Sequence, residues 1–255
     1  MGHDAVIEVE GLTIGWGPVV LMRDLAFDVP RGEVFAILGG SGCGKSTLLR
    51  HLIGLEVPMA GRLAVLGRDP AACQGGRPPF GVLFQSGALL GSMTLGENVE
   101  LPLRAWTALG PTARAAVVRA KLALVGLEGF ENHLPAEISG GMKKRAGIAR
   151  AMALDPSVLF LDEPSAGLDP ISAVELDDLI LTLSDSLGMT TVLVTHELPS
   201  IFKIATSCIM LDKGARGIIA RGDPRALRDG SDDPRVRRFF NRQAAAAPVV
   251  GGGAG

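Results

Sequence analysis

Hydrophobic and polar positions alternate in two stretches near the start of the chain, residues 6–12 and 25–29, as they do in half-buried antiparallel strands. Residues 33–38 are different. They form a short, nearly continuous apolar run that stops at Gly39, the pattern of a central strand buried on both faces. Residues 82–84, 158–161 and 191–195 repeat that pattern. Between the first two of these runs, residues 45–55 have helical spacing, with Leu48, Leu49, Leu52 and Ile53 on one face. Strands alternating with helices predict an α/β fold with a mostly parallel sheet covered on both sides.

The pattern changes between Gln85 and Asp155. Pro102, Gly110, Pro111, Gly126 and Pro135 punctuate helical segments, and strand patterns are absent. This predicts a helical subdomain over about 86–155, inserted in a nucleotide-binding domain over 5–230. Residues 231–255 are expected to form a C-terminal extension. In it, 231–233 reads as a turn, 234–242 as a short basic amphipathic helix, and 244–255 as a low-complexity, disordered tail.

Composition narrows the setting. With 47% hydrophobic residues in 255, a large core needs no disulfides. Cys43, Cys73 and Cys208 are scattered and odd in number, which points to a reducing, cytosolic compartment. A net charge of −2 gives no field for nucleic acid, so no nucleic-acid partner is expected. No signal peptide opens the chain, and no stretch approaches the roughly 18 apolar residues of a membrane span. Any membrane link is expected to run through a partner protein.

Candidate chemistry starts at Gly39-Gly40-Ser41-Gly42-Cys43-Gly44-Lys45-Ser46, which fits G-x-x-x-x-G-K-[ST]. Average residue usage yields such a match by chance in about one chain in a hundred of this length. Here a buried strand precedes it and a helix follows, as a phosphate cradle requires. The glycines let backbone N–H groups turn toward phosphate oxygens, and the helix starting near Lys45 adds its positive end. Lys45 supplies a charge for the β- and γ-phosphates, and the Ser46 hydroxyl is a ligand for Mg²⁺. Downstream, the run at 158–161 ends in Asp162 and Glu163. Asp162 is placed to hold Mg²⁺ through water, and Glu163 is the candidate base for the water that attacks the γ-phosphate. Alone, acids at a strand end are as often merely solvated; after a phosphate loop at this distance they read as catalytic.

Ser139-Gly140-Gly141 precedes a helix predicted to run to about residue 154. Ser139 is a good N-cap, and the glycines expose N–H groups at the helix's positive end. This is a second phosphate receptor in a chain that already has one, which invites a second protomer.

With these motifs in this order, the chain resembles the ABC ATPases, from about residue 5 to 243. Ser139-Gly140-Gly141 is similar to their signature motif. The resemblance implies further roles. Thr47 would extend the phosphate loop, and Gln85 would contact Mg²⁺ and the membrane partner. Asp169, in Ala166-Gly167-Leu168-Asp169, would belong to the D-loop. His196 would sense the γ-phosphate, and Trp16 would stack on adenine in a chain with no tyrosine. The fold implied is a P-loop, RecA-like core with an N-terminal antiparallel β subdomain and the inserted helical subdomain. The assembly implied is a head-to-tail homodimer, each ATP lying between the phosphate loop of one subunit and Ser139 of the other, joined to transmembrane permease subunits.

Finer features resemble the Mla-type lipid transport ATPases: Phe84-Gln85-Ser86-Gly87-Ala88-Leu89-Leu90, Met142 where most ABC ATPases carry Gln, and Asp233-Pro234-Arg235-Val236-Arg237-Arg238-Phe239-Phe240. That resemblance implies a phospholipid or related load, an MCE-domain partner, a small cytoplasmic regulatory subunit, and a peripheral place at the cytoplasmic face of the inner membrane. It also implies that 233–240 docks on the neighbouring subunit through Phe239 and Phe240. An importer of an amino acid or peptide is the alternative within transport; a non-transport ABC protein is the alternative outside it. Against the latter, the chain has one nucleotide-binding domain and no sustained heptads. Finally, Cys43 lies beside Lys45 and a helix N-terminus, which predicts a lowered thiol pKa and inhibition by alkylation.

Overall fold

The computed structural model describes residues 5–73 and 76–241. The alternating N-terminal stretches form β1 (Ala5–Trp16) and β2 (Val19–Pro30), paired antiparallel. Both run longer than the alternation suggests, because irregularities in the register interrupt the two-residue period between Val9 and Ile14. With β4 (Ala60–Val65) they make a three-stranded sheet in the order β2-β1-β4.

The larger sheet has six strands. They are β3 (Val34–Gly39), β5 (Phe80–Leu83), β6 (Val158–Asp162), β7 (Thr190–Val194), β8 (Ser207–Asp212) and β9 (Gly217–Gly222), in the order β5-β6-β7-β3-β8-β9. All its pairings are parallel except β8 with β9. Successive residues of the central strands enter two different cores. Phe35, Ile37, Phe160, Val192, Val194 and Ile209 join the core shared with the small sheet. Val34, Ala36, Leu38, Leu159, Leu161 and Leu193 join the core beneath the helices. That double burial is why these strands read as continuous apolar runs. Each fully buried large side chain contributes on the order of 1.5–3 kcal/mol.

The register sets the site. Leu83 pairs with Leu161, Asp162 with Val194, and Val194 with Ile37. Four adjacent strands therefore end level, on one edge of the sheet.

Helix α1 (Lys45–Leu52) buries Leu48, Leu49 and Leu52 against the small-sheet core. It stops short of the predicted residue 55 because Gly54 takes φ +73° beside the Pro70 carbonyl, where a Cβ would lie 2.3 Å from its oxygen. Residues 84–157 carry no strand. They hold α2 (Leu95–Trp106), α3 (Pro111–Leu124) and α4 (Gly140–Ala151). Thr94 starts α2 with a capping box to Glu97, and Leu95, Val99, Leu103, Val118, Leu122 and Ile148 knit the three helices into the sheet's core. Then come α5 (Pro170–Leu187), α6 (Leu198–Ile204), α7 (Pro224–Gly230) and α8 (Pro234–Phe240). Among the described residues no helix is long and apolar enough to cross a membrane.

Helix α8, expected to dock on the neighbouring subunit through Phe239 and Phe240, packs Phe240 into its own subunit. Val236 and Phe240 are buried in the chain's own core, and the Phe240 ring lies 5.6 Å from that of Phe202. Arg235 pairs with Asp212 at 3.0 Å and with its own N-cap, Asp233. Phe240 anchors this subunit, so a boundary at residue 231 would divide a packed unit. The expected disordered tail lies outside the described residues.

Candidate functional site

The level strand ends bring the sequence-predicted residues together. In sheet order, β5 leads to Gln85, β6 ends at Asp162 and Glu163, β7 leads to His196, and β3 leads into the glycine loop. Ligands of parallel sheets bind at this carboxyl edge.

The loop at 39–46 is shaped by two glycines. Gly39 takes φ +143°, where a Cβ would meet the Leu211 carbonyl oxygen at 2.4 Å; Gly44 takes φ +103°, where a Cβ would lie 2.8 Å from Leu21 Cδ2. Neither position admits another residue without displacement. Gly40, Ser41, Gly42 and Ser46 are exposed, and α1 starts at Gly44 with no side-chain cap, so its first N–H groups remain free for an anion. Lys45 is buried to 9% exposure and donates from Nζ to the carbonyls of Gly39 at 2.9 Å and Gly40 at 3.2 Å. Thr47 is buried beneath the loop.

Ser46 Oγ donates to Asp162 Oδ1 across 3.4 Å. Burial, and then the adjacent Glu163, push the Asp162 carboxyl above the usual range; the Ser46 bond, Arg50 and Lys144 oppose that. Glu163 is almost fully buried at φ +47°, with its N–H on the Val194 carbonyl at 2.8 Å. His196 Nδ1 donates to Glu163 Oε1 at 2.8 Å, while Glu163 Oε2 is buried with no hydrogen-bond partner. Gln85 is exposed; what the fold holds is its backbone carbonyl.

Other predicted residues stand apart. Ser139 caps α4 by accepting the Met142 N–H at 3.2 Å, and Ser139 and Gly140 are exposed. Met142 packs against the core beside the sheet. Asp169 caps α5, accepting N–H bonds from Ile171 and Ser172 at 3.1 and 3.0 Å, bonds that with the Ser172 side chain lower its pKa. Trp16 is half exposed at the tip of the β1–β2 hairpin, whose β2 strand passes Gly44 at Leu21. The Cys43 expectation is overturned. The thiol is 2% exposed, and burial raises its pKa above the ordinary range despite the opposing charge of Lys45.

One residue escaped the reading of the sequence. Lys144 is buried to 6% exposure and donates from Nζ to the carbonyls of Gln85 and, at 3.1 Å, Glu163. In Met142-Lys143-Lys144-Arg145 it looks like part of a solvated charge run. The usable signal is its helical phase, three and four residues before the buried Gly147 and Ile148.

The profile of the family described as "ABC transporter" matches residues 22–166. The chain belongs to this family. It is an ATP-binding cassette, an ATPase subunit. It is 42% identical over 246 residues to the "probable ribonucleotide transport ATP-binding protein mkl" of Mycobacterium leprae, covering 94% of this chain and 70% of that protein. The Mycobacterium bovis counterpart is spanned over 66% of its length. The chain is 38% identical over 242 residues to the "intermembrane phospholipid transport system ATP-binding protein MlaF" of Escherichia coli, covering 92% of this chain and 88% of that one. It is also 38% identical to the "methionine import ATP-binding protein MetN" of Geobacillus kaustophilus, covering 89% of this chain and 67% of that one. Among solved structures, the dimeric post-hydrolysis cassette MJ0796 bound to ADP and Pi aligns with TM-score 0.74 at 26% identity, covering 85% of this chain and 98% of that one.

Proposed function

We propose that this cassette hydrolyses ATP as a head-to-tail homodimer and drives a membrane permease that moves a phospholipid or a related hydrophobic molecule. The observation that carries the ATPase chemistry is the convergence at one sheet edge. Lys45 and the free N–H groups of α1 would face the phosphates. Ser46 and Asp162 stand together, and Glu163 Oε2, buried and unpartnered, is left to act.

The oxygens of Ser46, Asp162 and Gln85 suit a hard divalent cation such as Mg²⁺. Among the described residues no group of three or more His, Cys, Asp or Glu side chains is arranged to hold a metal ion by itself, so the ion would share its coordination with the phosphates. When bound, Mg²⁺ neutralises charge on the β- and γ-phosphate oxygens. Glu163 Oε2 accepts the proton of the attacking water, and His196 fixes the other carboxylate oxygen. Trp16, on its exposed hairpin, offers a face for adenine. Ser139 and Gly140 lie open to the phosphate of a partner's nucleotide, an arrangement supported by the dimeric neighbour. Asp169 then acts through the loop it anchors at the start of α5.

The permease is proposed to seat in an apolar groove of about 530 Å³ beside Gln85, lined by Leu55, Phe84, Leu101, Trp106, Ala151 and Leu154. Leu55 is 63% exposed and Trp106 40%, an arrangement that favours a partner over water. On this reading the cassette sits at the cytoplasmic face of the membrane as a peripheral subunit. The phospholipid reading rests on the MlaF relative, spanned over most of its length, and extends to an MCE-domain protein and a small regulatory subunit as partners. Amino-acid import is the second reading, favoured by the MetN relative.

Glu163→Gln should keep ATP binding, cut hydrolysis about 100-fold or more, and form a dimer with ATP visible by light scattering; a species that stays monomeric would refute the sandwich. Co-purification of a permease with an MCE-domain protein, and ATPase stimulation by phospholipid vesicles but not methionine, would decide between the two loads.

A further inference from the structure

Lys144 is a deeply buried cation whose bonds go to backbone rather than to a carboxylate. It donates to the carbonyls of Gln85 and Glu163, residues on two different segments of the site. Lys143 and Arg145 on either side are only half-buried, and Arg145 pairs with Glu175 at 2.6 Å. An apolar residue would fill the space without desolvating a charge, but it would take the Lys144 donor from the Gln85 carbonyl and leave the Glu163 carbonyl with the Ala166 N–H at 3.2 Å. Burial lowers the Lys144 ammonium below the usual lysine range, and Asp162 and Glu163 oppose that shift.

Helix α4 grips the segment after β5 along its length. Arg150 donates to the carbonyls of Ala88 at 2.6 Å and Gly87 at 3.1 Å. At Gly147 the contact is so close that a Cβ would lie 2.5 Å from Leu83 Cδ1. Arg150 and Gly147 reach only this segment, whereas Lys144 reaches across it to Glu163. Glu163 is thus fixed from both sides, its N–H on Val194 and its carbonyl on Lys144. The N-terminus of the same helix is Ser139, open to the outside.

We propose that Lys144 is a positioning residue that couples the two ATP sites of the dimer, transmitting movement of the Ser139 end of α4 to the backbones of Glu163 and Gln85. The inference rests on the sandwich reading. A nucleotide held by the partner moves Ser139, and a rigid helix carries the displacement five residues on to Lys144. That side chain then shifts both carbonyls, so each subunit's Glu163 is aimed only when the neighbouring site is filled. In a symmetric dimer each site acts on the other through the same contacts, so hydrolysis is cooperative in ATP.

The test is Lys144→Met, which keeps length and loses the donor, beside Lys144→Gln, which keeps an NH₂ able to serve two carbonyls. Measured quantities are melting temperature, affinity of the ATP-free monomer for a fluorescent ATP analogue, ATP-driven dimerisation in the Glu163→Gln background, and kcat, KM and Hill coefficient. Lys144→Met should fold, bind nucleotide within about twofold of the parent and still dimerise. Its kcat should fall about tenfold or more with KM little changed, and its Hill coefficient should drop below the parent's, to the part that ATP-driven dimerisation alone supplies. Lys144→Gln should recover part of both. An unchanged kcat and Hill coefficient in folded Lys144→Met overturns the proposal. If Lys144→Met does not fold, Lys144→Gln decides by the same two quantities. If neither folds, Lys144 is structural and the proposal fails. Failure of the sandwich reading looks different: Glu163→Gln alone stays monomeric with ATP, and the parent protein itself shows no cooperativity.

Discussion

The two helix starts proposed to receive phosphate, at Lys45 and at Ser139, are built in opposite ways. The first is enclosed by its own chain. Gly39 is pressed against the Leu211 carbonyl, Gly44 against Leu21, and Lys45 is buried with two carbonyl partners. The second lies open: Ser139 and Gly140 are exposed, held by the Ser139 cap and by the Lys143 N–H on the Ser139 carbonyl at 3.0 Å. On the proposed reading, a lone chain holds a finished receptor and half of another. Affinity for nucleotide should reside in the first, and turnover should need both.

The largest test of that division is Lys45→Ala. It removes the ammonium from the enclosed receptor and should lower hydrolysis at least about 100-fold while also weakening nucleotide binding, read by phosphate release and by equilibrium titration. Next is Ser139→Arg, which puts bulk and charge in the open receptor. Hydrolysis should fall about tenfold or more, with monomer affinity for nucleotide nearly unchanged. If binding weakens as much as in Lys45→Ala, the division is wrong. Smaller effects separate the glycines. Gly44→Ala should destabilise by roughly 1–3 kcal/mol in urea unfolding, through its positive φ and the Leu21 contact. Gly140→Ala, whose Cβ would sit 3.5 Å from Leu168 Cδ2 in a helical position, should be neutral or slightly stabilising. The smallest effect concerns Cys43. With its pKa raised, the thiolate is scarce at neutral pH and gains population only as pH climbs above the ordinary thiol range. Iodoacetamide labelling of Cys43, followed by peptide mass mapping, should be slow at pH 7 and accelerate with alkali; fast labelling at pH 7 would show that the loop opens.

The same contrast explains what the sequence disclosed. Strands β3, β6 and β7 are legible because both faces are buried and a glycine, an acid or a histidine marks each end. Strands β4, β8 and β9 carry weaker signals. In β4 half the residues are exposed, and β9 is half-buried except at exposed Arg221 and bounded by glycines. The phosphate loop and the paired acids could be read because their chemistry dictates both residue type and spacing. Environment could not be read in that way. Proximity to Lys45 argued for a reactive Cys43, and burial outweighed it. Phe240 looked like an anchor for a neighbour, yet Phe202 and the core claim it. Lys144 hid in a run of three basic residues because a residue type does not announce which way it faces.

The shared level of the four strand ends has a consequence for what the chain can tolerate. Each strand rises about 3.3 Å per residue and turns alternate side chains to opposite faces. One residue inserted into β6 would thus lift Asp162 and Glu163 off the common line and exchange the two cores' side chains. The connections between strands carry no such constraint: between β5 and β6 lies the whole helical region, 84–157. Residues can be gained or lost there, and partners exchanged, while the line at Leu83, Leu161, Leu193 and Ala36 keeps the reacting groups in step.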